Sequence, residues 1–486
     1  MSDLRPLDDD SAYRALQAHD ARFDGRFFVG VTSTGIYCRP VCRVRTPLRR
    51  NCRFFANAAS AEREGFRPCL RCRPELSPGL SLVDSSQVLA QHAARLIEQA
   101  ARSGSDPYLP AIAARLGVTD RHLRRIFQQA HGVTPIDYLS TQRLLLAKQL
   151  LTDTDLPVTQ VALASGHASL RRFNAAFVQR YRMNPSALRK QALPSRDTLT
   201  GLRMAYRPPY DIDGLLRFTA LRALPGVETV QGHELRRTLR WRHQDQWLQG
   251  WLQCRFVPAR HELRLTLAPA LLPAAGAILQ RLRHALDLDA DPDVIDACLR
   301  TLPVPAAAGL RLPGAIDGFE TAVRIILGQQ VTVAAARTLA QRVVAEFGTP
   351  IETPFGELQR LFPSAEQLAA ADPARIGRLG IVRQRVAALQ ALAREVAEGR
   401  IELQPDAALE PTLQALHALP GIGEWTLQLI AMRVLGWPDA FAASDIGVLN
   451  ALGTRDVASA LARAEAWRPW RAYAVMGLWH HLERTR

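Results

Sequence analysis

Apolar residues recur at helical spacing through VLAQHAARLIEQA (88–100), and the pattern then breaks at SGSDPYLP (103–110). Next comes LPAIAARLGVTDRHLRRIFQQAHGVTP (109–135), which predicts two helices joined by a tight turn. Ile112, Ala113 and Leu116 line one face, Gly117 permits the turn, and Thr119 or Asp120 can cap the second helix. The unit recurs in PVTQVALASGHASLRRFNAAFVQRYRMNPSAL (157–188), with its turn at Gly166 and Ser169 ahead of Phe173 and Phe177. A long helix, DYLSTQRLLLAKQLLTD (137–153), joins the two. QALPSRDTLTGLRMAYRPPY (191–210) reads as a linker running into a new domain, where ELRRTLRW, WLQGWLQCRFV and HELRLTLAP are strand-like among helical stretches. From Leu310 onward the pattern is almost wholly helical.

At 486 residues the chain exceeds what one core supports, so several domains are expected. With 48% hydrophobic and 22% charged residues the composition is that of folded domains and excludes a disordered chain. A formal charge of +15, carried mainly by arginine, points to a polyanionic partner. The acidic opening MSDLRPLDDDSAYRAL lacks the apolar core of a signal peptide, and no segment reaches the ~18 apolar residues that span a bilayer. The expected location is the cytoplasm, where seven cysteines stay reduced and a cluster of them holds metal or reacts.

Four of the cysteines form two close pairs, Cys38-x3-Cys42 and Cys69-x2-Cys72, the spacing of a tetrahedral zinc site. Such sites are usually structural. Here Arg39, Arg43, Arg45, Arg49, Arg50 and Arg53 crowd the first pair and suit a site that meets phosphate. Cys52 lies outside the pairs and reads as a spectator thiol. TSTGIYCRPVC with GFRPCLRCRPE closely resembles the amino-terminal domain of Ada-type methyltransferases across residues 10–76. The resemblance implies one Zn2+ on Cys38, Cys42, Cys69 and Cys72, with Cys38 the thiolate that takes a methyl group, once, from a methylphosphotriester in DNA. Methylating one thiolate takes the site from net −2 to net −1 beside the arginines, so affinity for DNA should rise and repair becomes a signal.

Each helix-turn-helix unit carries a basic outer face, Arg121, Arg124 and Arg125 in the first and Arg171 and Arg172 in the second. With the endings GVTP and MNPSALR, the tandem resembles the AraC-type DNA-binding domain, which implies reading helices in successive major-groove segments.

In the helical carboxyl half, Leu419-Pro420-Gly421-Ile422-Gly423 lies between two helices, where the glycines let backbone N–H groups face a phosphate without choosing a sequence. This is a helix-hairpin-helix pattern. Asp445 follows at the mouth of the next helix, a position that an ordinary N-cap also explains. Hairpin plus aspartate resembles the helix-hairpin-helix DNA glycosylases, and RPPYD, GVETV, LRLPG, ILGQ, LPGIG and the terminal W-x-PW-x-x-Y follow the AlkA-type order over residues 203–480. The likeness implies that Asp445 is the catalytic carboxylate and that Gly421, Ile422 and Gly423 grip the DNA backbone with a monovalent cation on the hairpin carbonyls. An alkylated purine is cationic and leaves readily, so one carboxylate suffices. Trp425 stands where strand-cutting relatives carry a lysine, which implies a monofunctional enzyme. Trp425 and Trp479 match the family's base-pocket positions, whereas Trp470 and Tyr473 share another helical face and belong to the core. Leu429 replaces a pocket tyrosine, and Gln330 replaces the apolar residue that wedges the duplex.

The expected architecture is multidomain and mainly α: a small α+β zinc domain (1–80), an all-α double helix-turn-helix domain (84–192), an α+β subdomain (200–305) and an all-α helix-hairpin-helix domain (306–486). The expected protein is a bacterial, nucleoid-associated monomer that binds alkylated and promoter double-stranded DNA, with RNA polymerase as a further candidate partner and no membrane contact. It excises 3-methyladenine and 7-methylguanine. The PCHRV motif of a second methyltransferase domain is absent, so repair of O6-methylguanine is not expected. Two rivals differ in kind: a transcription factor with structural zinc and a non-catalytic scanning half, and a glycosylase for deaminated or oxidised bases.

Overall fold

The computed structural model describes residues 8–78, 88–103, 108–116, 118–191, 201–243 and 246–484. Gly117 and the linker residues 192–200 lie outside them.

The cysteine module is a four-stranded sheet in the order β3-β1-β2-β4: β1 (Phe28–Val31), β2 (Ile36–Cys38), β3 (Cys52–Phe55) and β4 (Arg67–Pro68). Gly35, at φ +64°, closes the turn from β1 to β2 and so delivers Cys38 to the end of a strand. The parallel pairing of β2 with β4 brings Cys69 alongside, its N–H donating to Tyr37 O at 3.0 Å.

Both helix-turn-helix units form where the apolar periodicity placed them. The first reading helix (Asp120–His131) is capped by Thr119 and not by Asp120, whose carboxylate pairs with Arg124 one turn on at 2.8 Å. Ser169 caps the second (Leu170–Tyr181). The first rests on a small core with Leu123, Phe127 and Tyr138, whereas Phe173, Phe177 and Tyr181 of the second join a larger core shared with the sheet unit, and the helix Pro135–Asp153 runs between them.

The third unit is a five-stranded antiparallel sheet in the order β5-β9-β8-β7-β6, formed by Leu202–Ala205 (β5), Glu228–Gln231 (β6), Glu234–His243 (β7), Gln246–Val257 (β8) and Glu262–Leu267 (β9). The three strand-like runs of the sequence are β7, β8 and β9. β5 and β6 are too short to show an alternation. The rest is a helical domain on one continuous apolar core, which the helix Ile212–Arg222 joins through Phe218.

Buried charge stitches the modules together. Beyond Cys72, Arg73 pairs with Glu75 at 2.9 Å and with Asp153 of the long helix, and Lys148 closes on Glu75 at 2.6 Å. Glu62 of the cysteine module accepts from Tyr37 at 3.0 Å and from Thr141 of the long helix at 3.1 Å. Arg207, preceding the sheet unit's first helix, donates to Asp24 O at 3.0 Å. Among the described residues no helix is long and apolar enough to cross a membrane.

Candidate metal centre and base-excision site

The four sulfur atoms of Cys38, Cys42, Cys69 and Cys72 lie within 4.8 Å of one another. Tetrahedral thiolate coordination of zinc sets sulfurs about 3.8 Å apart, so the donor set fits a metal ion without rearrangement of the fold. The backbone N–H of Arg39 donates to Cys72 Sγ at 3.3 Å, the outer contact that steadies a ligating sulfur. Cys52 stands apart, buried with its thiol toward Leu48 O, and burial raises its pKa.

The arginine collar needs one correction. Arg39 does not face solvent: its guanidinium is buried, ion-paired with the equally buried Asp24 and bonded to Cys72 O at 3.0 Å. A cation interior to the fold is neutralised by its carboxylate and cannot reach a phosphate. Arg43, Arg45 and Arg50 are exposed. Arg49 is held by Asp9 and Asp10 at 3.1 and 3.2 Å, and Arg53 by Glu64 at 3.2 Å, on the surface. On the reading helices Arg121, Arg125, Arg171 and Arg172 are exposed, while Arg124 is half-buried against Asp120.

In the helical domain the hairpin closes with Gly421 at φ +76°, and a side chain there would meet Ala388 Cβ at 3.2 Å. Around Gly423 the space is open, so a phosphate can approach the first N–H groups of the helix Glu424–Arg433, while Ile422 anchors the loop in the core. Gln329, the last residue of the ILGQ segment, donates to Gly421 O at 2.8 Å and to Thr426 Oγ1 at 2.9 Å, tying the hairpin to the turn that carries Gln330. Gln330 is exposed at φ +56°, beside the exposed Val331 and Val333.

Asp445 caps the helix Ile446–Ala451, as the N-cap reading allowed, but only one of its oxygens is used that way. Oδ1 accepts from the N–H groups of Gly447 at 2.9 Å and Val448 at 3.0 Å and from Trp479 Nε1 at 2.9 Å. Oδ2 accepts from Trp425 Nε1 at 2.9 Å. Both tryptophans predicted for the base pocket therefore converge on the predicted carboxylate, which is 9% exposed. Leu429 sits one turn beyond Trp425 on the same helix, buried. Trp470 and Tyr473 are buried in the core, edge to face at 5.5 Å, with the Tyr473 hydroxyl donating to Asp287.

Three more side chains pack beside Trp479. Phe218 lies nearly parallel to Trp479, centroids 6.4 Å apart at 10°, and the guanidinium carbons of Arg222 and Arg433 lie 3.6 and 4.9 Å from the Phe218 centroid. Phe218 and Arg222 belong to a helix some two hundred residues upstream, with nothing local to mark them. Arg433 did carry a signal, as the one charge in the apolar run LQLIAMRVLGW.

The chain matches four family models: "Metal binding domain of Ada" over residues 11–75, "Helix-turn-helix domain" over 112–191, "AlkA N-terminal domain" over 201–317 and "HhH-GPD superfamily base excision DNA repair protein" over 323–469. Fold and site together define a base-excision repair protein joined to a metal-binding, DNA-reading regulator. The chain is 40% identical to the "Probable bifunctional transcriptional activator/DNA repair enzyme AlkA" of Mycobacterium tuberculosis over 98% of its own length and 97% of that protein's, and it belongs to this bifunctional AlkA family. It is 35% identical to DNA-3-methyladenine glycosylase 2 of Escherichia coli over 57% of this chain and 95% of that protein. With the bifunctional transcriptional activator/DNA repair enzyme Ada of Escherichia coli it shares 35% identity over 32% of this chain and 42% of that protein.

Proposed function

We propose that the carboxyl half hydrolyses the N-glycosidic bond of alkylated purines, 3-methyladenine and 7-methylguanine in kind, and that Cys38 accepts a methyl group from DNA methylphosphotriesters. The observation that carries the first reading is the Asp445 carboxylate held by two indole N–H groups at 2.9 Å each. Donors to both oxygens fix its orientation, so the negative charge is preorganised for the positive charge that develops on the sugar as the base departs. The electron-rich faces of Trp425 and Trp479 suit a flipped cationic base. Water then adds at C1′, oriented by Asp445, and leaves an abasic site. Residues 200–486 contain no lysine, so this half has no side-chain amine for Schiff-base strand cutting, which supports a monofunctional enzyme.

In the cysteine module, zinc would be held by Cys38, Cys42, Cys69 and Cys72 and would keep the sulfurs deprotonated and nucleophilic. The Cys38 sulfur attacks the methyl carbon in line, the C–O bond breaks with its electrons passing to the phosphate oxygen, and a thioether results. Arg43, Arg45 and Arg50, exposed beside it, would seat the phosphate. The exposed arginines of the two reading helices support promoter binding, with RNA polymerase the partner of an activator so placed. At the hairpin a monovalent cation would use carbonyls other than that of Gly421, which Gln329 occupies.

The test is release of methylated bases from alkylated duplex DNA by wild type and Asp445→Asn, with melting curves of both. Release by wild type and none by a normally melting variant supports the reading. A wild type that binds DNA and releases nothing overturns it in favour of a scanning module on a transcription factor. Transfer of label from methylphosphotriester DNA to wild type but not to Cys38→Ser tests the second activity.

A further inference from the structure

A cleft of about 340 Å3 opens where the reading domain, the sheet unit and the helical domain meet. Gln99 of the helix Val88–Ser103 and Arg115 of the helix Leu109–Arg115 line it from the first. Trp241 of β7, with Gln280 and Arg281 of the helix Ala275–Ala285, lines it from the second, and Asp406 from the third. That volume falls within the ~300–1,000 Å3 of small-molecule sites. None of the residues assigned above to the metal, to DNA or to the base lines it.

The walls do not satisfy one another. Oε1 of Gln99 and Oε1 of Gln280 are buried without a hydrogen-bond partner. Half-buried Arg281 lies over the Trp241 ring, 5.5 Å from its centroid, and reaches only Ile316 O and Gln404 Oε1, both at 3.5 Å. Burial lowers its pKa against the pull of Asp406 and Asp317, yet among the described residues no carboxylate lies within ion-pair distance of it. Asp406, also half-buried, has no ion-pair partner among them either. A guanidinium and a carboxylate held partly out of water and apart cost stability, which a ligand that engages both recovers.

These groups define the ligand. An apolar molecule leaves both charges unpaired, and a simple anion meets the arginines but not Asp406. We propose that the cleft binds a free guanine nucleotide, with its phosphate on Arg115 and Arg281, its ring on the apolar wall of Leu96, Ile112 and Trp241, and its N1–H and N2–H groups donating to Asp406. Guanidinium groups match phosphate oxygens with paired N–H donors. An ionised carboxylate only accepts, so it selects a base edge with two adjacent donors, which guanine presents and adenine does not. Bound there, the nucleotide touches the regulator and the repair half at once and stabilises their contact.

The experiment titrates the full-length wild type, Arg281→Gln and Asp406→Asn with GMP, AMP, guanosine and inorganic phosphate by calorimetry at fixed ionic strength, each protein with its melting curve. The expected result is that GMP binds wild type and raises its Tm, while AMP and guanosine bind about tenfold more weakly, as loss of one charge-assisted contact implies. Arg281→Gln loses about tenfold in affinity for GMP and little for guanosine. Asp406→Asn lowers GMP to the level of AMP. Both variants melt no lower than wild type in the absence of nucleotide. No binding of GMP by wild type at millimolar concentration overturns the proposal. Binding that neither variant alters, or that inorganic phosphate matches, places the nucleotide on the DNA-facing arginines and overturns it likewise. Equal affinity of wild type for GMP and AMP removes the guanine assignment. Displacement of GMP by a short guanine-containing single strand, with the same losses in the two variants, assigns the cleft to a DNA strand and overturns the free-nucleotide reading.

Discussion

The indole N–H of Trp479 donates to Oδ1 of Asp445 at 2.9 Å while the same ring lies parallel to Phe218, so one residue both aims the carboxylate and packs against the helix Ile212–Arg222. Trp479→Phe keeps a ring against Phe218 and loses only the donor. A hydrogen bond to a charged acceptor is worth about 1.5–3 kcal/mol, so release of methylated base should slow roughly 10- to 100-fold if that bond is fully used in the transition state. Single-turnover kinetics check this, with KM for damaged DNA changing much less.

Gly447 leaves no room behind the carboxylate. A Cβ there would stand 3.0 Å from Asp445 Oδ1 and 3.1 Å from Trp479 Cδ1. Gly447→Ala is expected to cost about 1–3 kcal/mol of overpacking and to turn both groups out of line, cutting release more than it lowers Tm. Melting curves beside the base-release assay separate the two effects.

Lys148 and Glu75 are each 1% exposed in their side chains and join the cysteine module to the long helix of the reading domain. Although burial opposes it, Lys148 and Arg73 hold the Glu75 carboxyl below its usual range. Lys148→Met leaves a buried carboxylate short of one partner and should destabilise that contact by about 3 kcal/mol. Lys148→Met with Glu75→Leu should recover part of the loss, in denaturant unfolding followed by a probe in the amino-terminal half.

Glu62 gives the same interface a pH dependence. Burial raises its carboxyl from 4.5 to about 7 against the pull of Arg180, with Tyr37, Thr141 and Lys148 also acting on it. The folded state thus binds a proton more tightly than the unfolded chain. Its contribution is fully present below about pH 4.5 and fades as pH rises through about 7. Wild type should lose stability across that window relative to Glu62→Gln, whose amide does not titrate. Urea midpoints at several pH values, compared between the two, check the sign.

The chemistry of the metal centre and of the hairpin was legible in the chain because both rest on short spacings. Two cysteine pairs confine their sulfurs wherever the strands run, and two glycines one residue apart just ahead of a helix permit a sharp turn. Helical periodicity likewise marked the reading units, since residues three and four apart share a face in any fold. β5 and β6 escaped because strands of four residues leave too little alternation to recognise.

What no spacing records is which distant groups meet. Trp425 and Trp479 lie 20 and 34 residues from Asp445, and only the packing of three helices turns both indoles onto its two oxygens. Arg39 read as one of six equivalent arginines until Asp24 met it in the interior and removed it from the collar. Phe218 and Arg222 likewise looked like ordinary members of a helix far upstream. Sequence determined the local conformations and the kinds of chemistry available, because those follow from residue type and short separation. Tertiary structure decided which charges stay free to act, because burial and pairing depend on the whole fold.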